Sequence, residues 1–163
     1  MAPAAGGGFA WLAATPLSAA MREGAWLYPI VEIVHIAGFS VLVGSVVLFD
    51  LRVLGFARAL PVAALGDHLL RWALASLLLV VPAGLLLFCA HPVELAQNPA
   101  FLLKLGLIVL AGLNALAFHW LPYRSVAGWD RERRAPPLAR AGAALSILLW
   151  LGVITCGRML AYL

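Results

Sequence analysis

The sequence predicts an all-α fold: a four-helix transmembrane bundle, up-down, with a short interfacial helix at its N-terminus. Three observations predict it. Hydrophobic types make up 64% of the 163 residues and charged types only 11%, a balance foreign to water-soluble domains. Four apolar stretches, about 27–49, 69–90, 101–121 and 141–162, each approach the ~20 residues that cross ~30 Å of hydrocarbon. The charged residues gather in the connections between those stretches. Four spans fill a chain of this length, so a single transmembrane domain over 1–163 is expected, without a separate soluble one.

The elements follow in order. Residues 1–8 (MAPAAGGG) lack the basic start of a secretory signal. Thr15-Pro16 reads as N-cap and first position of a helix within about 9–22, with Phe9, Trp11, Leu12, Leu17 and Met21 facing the membrane interface. Span one opens beside Trp26 and Tyr28 and ends at Asp50-Leu51-Arg52. The linker 55–66, with Pro61, is expected along the membrane surface, and Asp67 as N-cap of span two. Pro82 lies mid-span; its ring should kink the helix and free the Leu78 carbonyl. The short 91–99 connection makes spans two and three antiparallel neighbours, and Asn98-Pro99 marks a helix start. Span three ends at Pro122, and the polar 123–137 loop closes with Pro136-Pro137 before span four. Small residues (Ala37, Ser40 and Gly44; Ala111 and Ala115; Gly152 near Thr155 and Cys156) are expected where helices approach closely.

Basic residues fix the expected orientation. Arg52, Arg58, Arg71, Arg124, Arg131, Arg133, Arg134 and Arg140 belong to one side, and only Arg22, Lys104 and Arg158 to the other. The positive-inside rule then puts both arginine-rich loops in the cytoplasm and both termini outside, taking a bacterial inner membrane. The formal charge of +4 is accounted for by these loops and excludes a nucleic-acid partner as its reason; the Arg131–Arg134 cluster reads as a topology signal with lipid headgroups as contacts. The lipid bilayer is the one certain partner, and association into a homo- or hetero-oligomer is left open. Cys89 and Cys156 fall near the outer ends of their spans, where a disulfide is open but not implied by two residues alone.

Ionisable groups inside a span are candidates for function. Glu32 and His35 are three apart on span one and share a face, at depths of roughly 8 and 12 Å. Gly38 leaves space next to the imidazole, for another helix or for a flat cofactor. Lys104 and Arg158 lie about 5–6 Å below the same surface. They can pair with Glu32, Arg158 first, or hold an anionic group such as a haem propionate or a quinone headgroup above His35. At the other side His68 and His119 match in depth, the first demand on two ligands of one haem, whereas His35 and His119 differ by about 15 Å. A satisfied ion pair or an ordinary interfacial histidine explains each of these equally simply; Asn114 reads as an interhelical hydrogen bond. Cys89, His91, Cys156 and Met159 form a soft-donor set suited to Cu(I), without a recognised metal spacing. There is no CxxC pair, phosphate-binding glycine loop, nucleophile elbow or pair of catalytic carboxylates.

Two stretches, YPIVEIVHIAGFSVLVGSVVLFDLRVLG (28–55) and NPAFLLKLGLIVLAGLNALAFH (98–119), resemble a family of small four-span bacterial membrane proteins of unknown function. Its pattern places Glu-x-x-His in the first helix, Asp-Leu-Arg at that helix's end, and Lys with Asn…His in the third. Glu32, His35, Asp50, Arg52, Lys104, Asn114 and His119 occupy those positions. The resemblance implies the fold. A looser similarity links the chain to four-helix b-type cytochromes and to copper-resistance membrane proteins, which carry histidines in apolar spans.

The functional expectation is therefore a membrane electron carrier, or an accessory subunit of a redox complex, rather than an enzyme. It would bind b-type haem through His35 or through His68 and His119, with quinone or a redox protein as partner. Copper handling and a purely structural subunit are the alternatives.

Overall fold

The computed structural model describes residues 9–131, 133–160 and 162, so the stretch 1–8 and Glu132 of the basic cluster lie outside the described residues. Four helices are long and apolar enough to cross a membrane: α3 (Leu27–Leu54), α4 (Val62–Ala90), α6 (Pro99–Trp120) and α7 (Pro137–Met159). The shorter α1 (Ala10–Ala13), α2 (Pro16–Glu23) and α5 (Pro92–Gln97), with a 3-10 segment Pro122–Gly128, complete the chain. This is an all-α four-helix bundle and a multi-pass membrane protein.

Two boundaries move from their expected places. The first two spans are longer than the apolar runs: α3 continues through Asp50 and Arg52, and α4 starts at Val62. Much of the linker read as surface chain is therefore helical, and Asp67 lies inside α4 rather than at its cap. The interfacial helix is two pieces, broken before Pro16, where the Thr15 hydroxyl accepts the Ser18 N–H at 3.2 Å as an N-cap. That pair of helices is tied to the bundle. Ser18 and Met21 are buried, Ser18 donates to the Cys89 carbonyl, and Arg22 donates to the carbonyls of Ala90 and Ala13, so α2 closes the end of α4.

Helix ends obey local chemistry elsewhere. The Asn98 side chain accepts the N–H groups of Ala100 (2.9 Å) and Phe101 (3.2 Å), capping α6 where Asn-Pro foretold a start. Gly55 ends α3 at φ +113°, and Phe56 N–H reaches back to the Leu51 carbonyl in a Schellman-type closure.

In the bundle, α4 lies on α3, α3 on α7, and α7 on α6. Between α4 and α6 there is no close backbone approach among the described residues; side chains bridge them, Phe88 stacking on Phe101 at 5.6 Å. Close approach of α3 to α4 runs through Gly38, where a Cβ would lie 3.0 Å from Val80 Cγ2. The Ser40 and Gly44 stripe faces outward instead, and nothing lies within 4 Å of a Cβ placed at Gly44. The expectation that this stripe packs a neighbouring helix is thus corrected: α3 turns its Gly38 face to α4. Gly152 does mediate a contact, meeting Leu107 of α6.

The best-packed region sits at the arginine-rich end. Phe49, Val53, Val62, Phe118, Trp129, Ala139 and Ala143 are buried together there, with Tyr123 packed against them. Phe49 meets Phe118 edge-on at 5.7 Å and Tyr123 at 6.3 Å. Towards the other end the helices present mainly leucine and isoleucine outward, as lipid-facing surfaces do.

Candidate functional site

His35 is the one site candidate drawn into a defined interhelical contact. Its Nδ1 lies 3.0 Å from the Val80 carbonyl on α4. A carbonyl only accepts, so Nδ1 carries the proton and Nε2 keeps its lone pair; no hydrogen bond to Nε2 occurs among the described residues. The ring rests on Gly84, where a Cβ would come within 3.0 Å of Cε1, and runs nearly parallel to Phe39, which meets Trp150 of α7. The space that Gly38 leaves is filled by Val80 and Leu79 of α4. Of the two occupants the sequence allowed, a helix takes it. α4 continues through Pro82, and the imidazole meets the Val80 carbonyl two residues before the proline.

Lys104 of α6 is the cation within electrostatic reach of His35. Its Nζ lies against α7, 3.8 Å from where a Gly157 Cβ would stand, near the buried Cys156. It has no hydrogen-bonding or ionic partner among the described residues. Glu32 is exposed on α3 beside Tyr28. The favoured Glu32–Arg158 pair does not form: Arg158 is exposed and donates to the Tyr162 hydroxyl at 2.6 Å, its guanidinium over that ring. Among the described residues the only contact within 4 Å between a basic and an acidic side chain is His91 Nδ1 with Glu94 Oε2 at 3.2 Å, at the start of α5.

The remaining histidines stand at the arginine-rich end. His119 is exposed; its Nδ1 meets the Ala115 carbonyl of its own helix at 2.9 Å, and its ring packs on Tyr123 at 5.1 Å. His68 is exposed on α4. The soft-donor set is not gathered: Cys89 and Cys156 are free thiols, and no group of three His, Cys, Asp or Glu side chains able to hold a metal occurs among the described residues. Met159 is exposed near the end of α7. Asn114 does what its type promised, donating to the Gly142 carbonyl of α7 at 3.0 Å.

Three residues carry more than the sequence revealed. Arg52 is 3% exposed and donates through Nε to the Leu60 carbonyl at 2.6 Å and through Nη2 to Arg58 (3.2 Å) and Asp130 (3.0 Å) carbonyls. Asp130 accepts the Ala63 N–H at 2.8 Å with its carboxylate and the Val62 N–H at 3.1 Å with its carbonyl, so it caps α4 from the far loop. Its one signal in the sequence is an acid at the head of a basic loop, and a count of basic residues passes over it. Asp50 is buried beside Ser146, and its Oδ2 has no partner. Asp-Leu-Arg is therefore no ion pair: two residues apart on a helix, the carboxylate and the guanidinium leave on opposite sides.

Neither a curated protein nor a solved structure matches the chain. A family does. Residues 12–163, from the first N-terminal helix through all four spans, match the family of unknown function DUF6644, and the chain belongs to it.

Proposed function

We propose that this protein is a component of membrane electron transfer, a carrier or accessory subunit, whose reactive site is centred on His35. The observation that carries this is the state of the imidazole. Its Nδ1–H is held by a backbone carbonyl while Nε2 is left as a lone pair, the arrangement in which a protein presents a histidine ligand. A half-buried ammonium without a protein counter-ion stands within electrostatic reach. It calls for an anionic group from outside the chain. Were a b-type haem bound, it would have to reach His35 from a side other than the Gly38 gap, which α4 fills; His35 would be its axial ligand, Lys104 would answer a propionate, and the group would supply one-electron redox chemistry. The chain orients the imidazole through Val80 and Phe39. Quinone is the natural diffusible partner. In a bacterial inner membrane the arginine-rich loops would lie in the cytoplasm and both termini outside. Copper handling keeps only its basis in the sequence.

Purified protein should show a Soret band and sharp reduced α and β bands, and His35→Ala should abolish them. A flat spectrum from protein expressed with ample haem overturns the reading. A second reading is favoured by the packing of the ring on Gly84: His35 locks α3 to α4 in a structural subunit. Under it, His35→Ala lowers the unfolding temperature and changes no absorbance.

A further inference from the structure

The arginines that set topology also converge. Arg52, Arg58, Arg133, Arg134 and Arg140 line one cavity of about 120 Å³ at the foot of α3 and α7, together with Gly55. That volume is several times the ~30 Å³ share of a water molecule, enough for a tetrahedral oxyanion. Among the described residues no carboxylate lines it. Arg52 is its buried floor, fixed by three carbonyls, and the other four guanidinium groups are exposed around it. Arg58 is held in place as well: its Nε donates to the Gly55 carbonyl at 3.1 Å, and its side chain folds over Gly55, where a Cβ would stand 3.2 Å from Nη2. The N-terminal end of α7 at Pro137 adds positive potential beside Arg140.

Like charges brought together repel, and each additional guanidinium raises the cost of leaving the cavity without an anion. Guanidinium forks match phosphate oxygens in pairs, which an ammonium cannot do. We propose that this cavity is a phosphate-binding site, and that its occupant is the headgroup phosphate of an anionic phospholipid at the surface from which the arginines rise. The cavity lies at the end of two membrane spans, where headgroups are the most concentrated phosphates. The site is independent of His35, which belongs to the other half of the bundle.

The test uses the full chain, stripped of lipid in neutral detergent. Phosphatidylglycerol, phosphatidylcholine and inorganic phosphate are titrated separately, with bound lipid counted by native mass spectrometry. Preferential binding of phosphatidylglycerol is expected, weakened about tenfold by Arg133→Gln with Arg134→Gln, on the scale of one or two charge-assisted bonds. Both side chains are exposed, so the unfolding temperature without lipid should stay unchanged; Arg58→Gln supplies an independent variant. Inorganic phosphate that binds with the same sensitivity to these variants and displaces the lipid would assign the site to free phosphate and overturn the lipid occupant. Equal binding of both lipids, or variants that bind as the parent does, would overturn the site itself.

Discussion

Single residues at the arginine-rich end do two jobs each, and their chemistry can be separated by substitution. Tyr123 packs on Phe49, Phe118 and His119 outside the spans. Burial pushes its phenol above the usual value of 10.0, and the carboxylates of Asp67 and Asp130 add to the rise. The folded chain thus keeps this proton longer than the unfolded one. The associated stability is whole below about pH 10 and is lost as pH climbs through the folded value. Tyr123→Phe should leave the unfolding temperature at neutral pH almost unchanged and flatten its decline above about pH 10, measured by thermal scans in detergent. His35 shows the other side of residue-scale reading. Its type, its face and the gap at Gly38 were legible in the sequence, because helical periodicity fixes them. Which body fills the gap was not, since that depends on how α4 leans on α3.

Elements begin where some side chain meets their first N–H groups, and the origin of that side chain decides what a sequence reveals. Thr15 and Asn98 cap the helices they precede, within three residues; both starts were readable. The expected α4 start, at His68 behind an Asp67 cap, lies six residues after the observed one at Val62. Its cap comes from Asp130, 67 residues beyond Ala63, and no local pattern announces such a partner. Asp130→Ala should cost about 1 kcal/mol and at most ~2, whereas Asp130→Asn should recover most of it; equilibrium unfolding in mixed micelles measures both. The carbonyl bonds of Asp130 to Val62 and Arg52 persist in either variant, so the carboxylate is what the comparison isolates.

At the scale of the molecule, the two ends of the bundle differ in kind. One is joined by an aromatic core and by Arg52, whose guanidinium gathers carbonyls from both connecting loops. The other holds α4 to α6 by stacked rings and holds α2 over α4 by Arg22. Arg52→Ala strands buried carbonyls and should cost about 2–3 kcal/mol, the scale of hydrogen bonds to charged groups. Arg58→Ala, exposed, should stay within about 0.5 kcal/mol. Similar losses from both would place the junction elsewhere. The four spans and their order were legible because bilayer thickness imposes a length on apolar runs. The order of contact between spans was not, because lipid gives apolar faces no preference for one another and small residues decide it.

The long-range cap of α4 has a consequence for biogenesis. When α3 and α4 have left the ribosome, the N–H groups of Val62 and Ala63 still await residue 130. At ~5–20 residues per second, translation needs several seconds more to deliver it. During that interval the first hairpin is held in the bilayer with a frayed start, and only the emergence of the third span and its loop lets it close. The first hairpin to enter the membrane is therefore among the last parts of the bundle to finish.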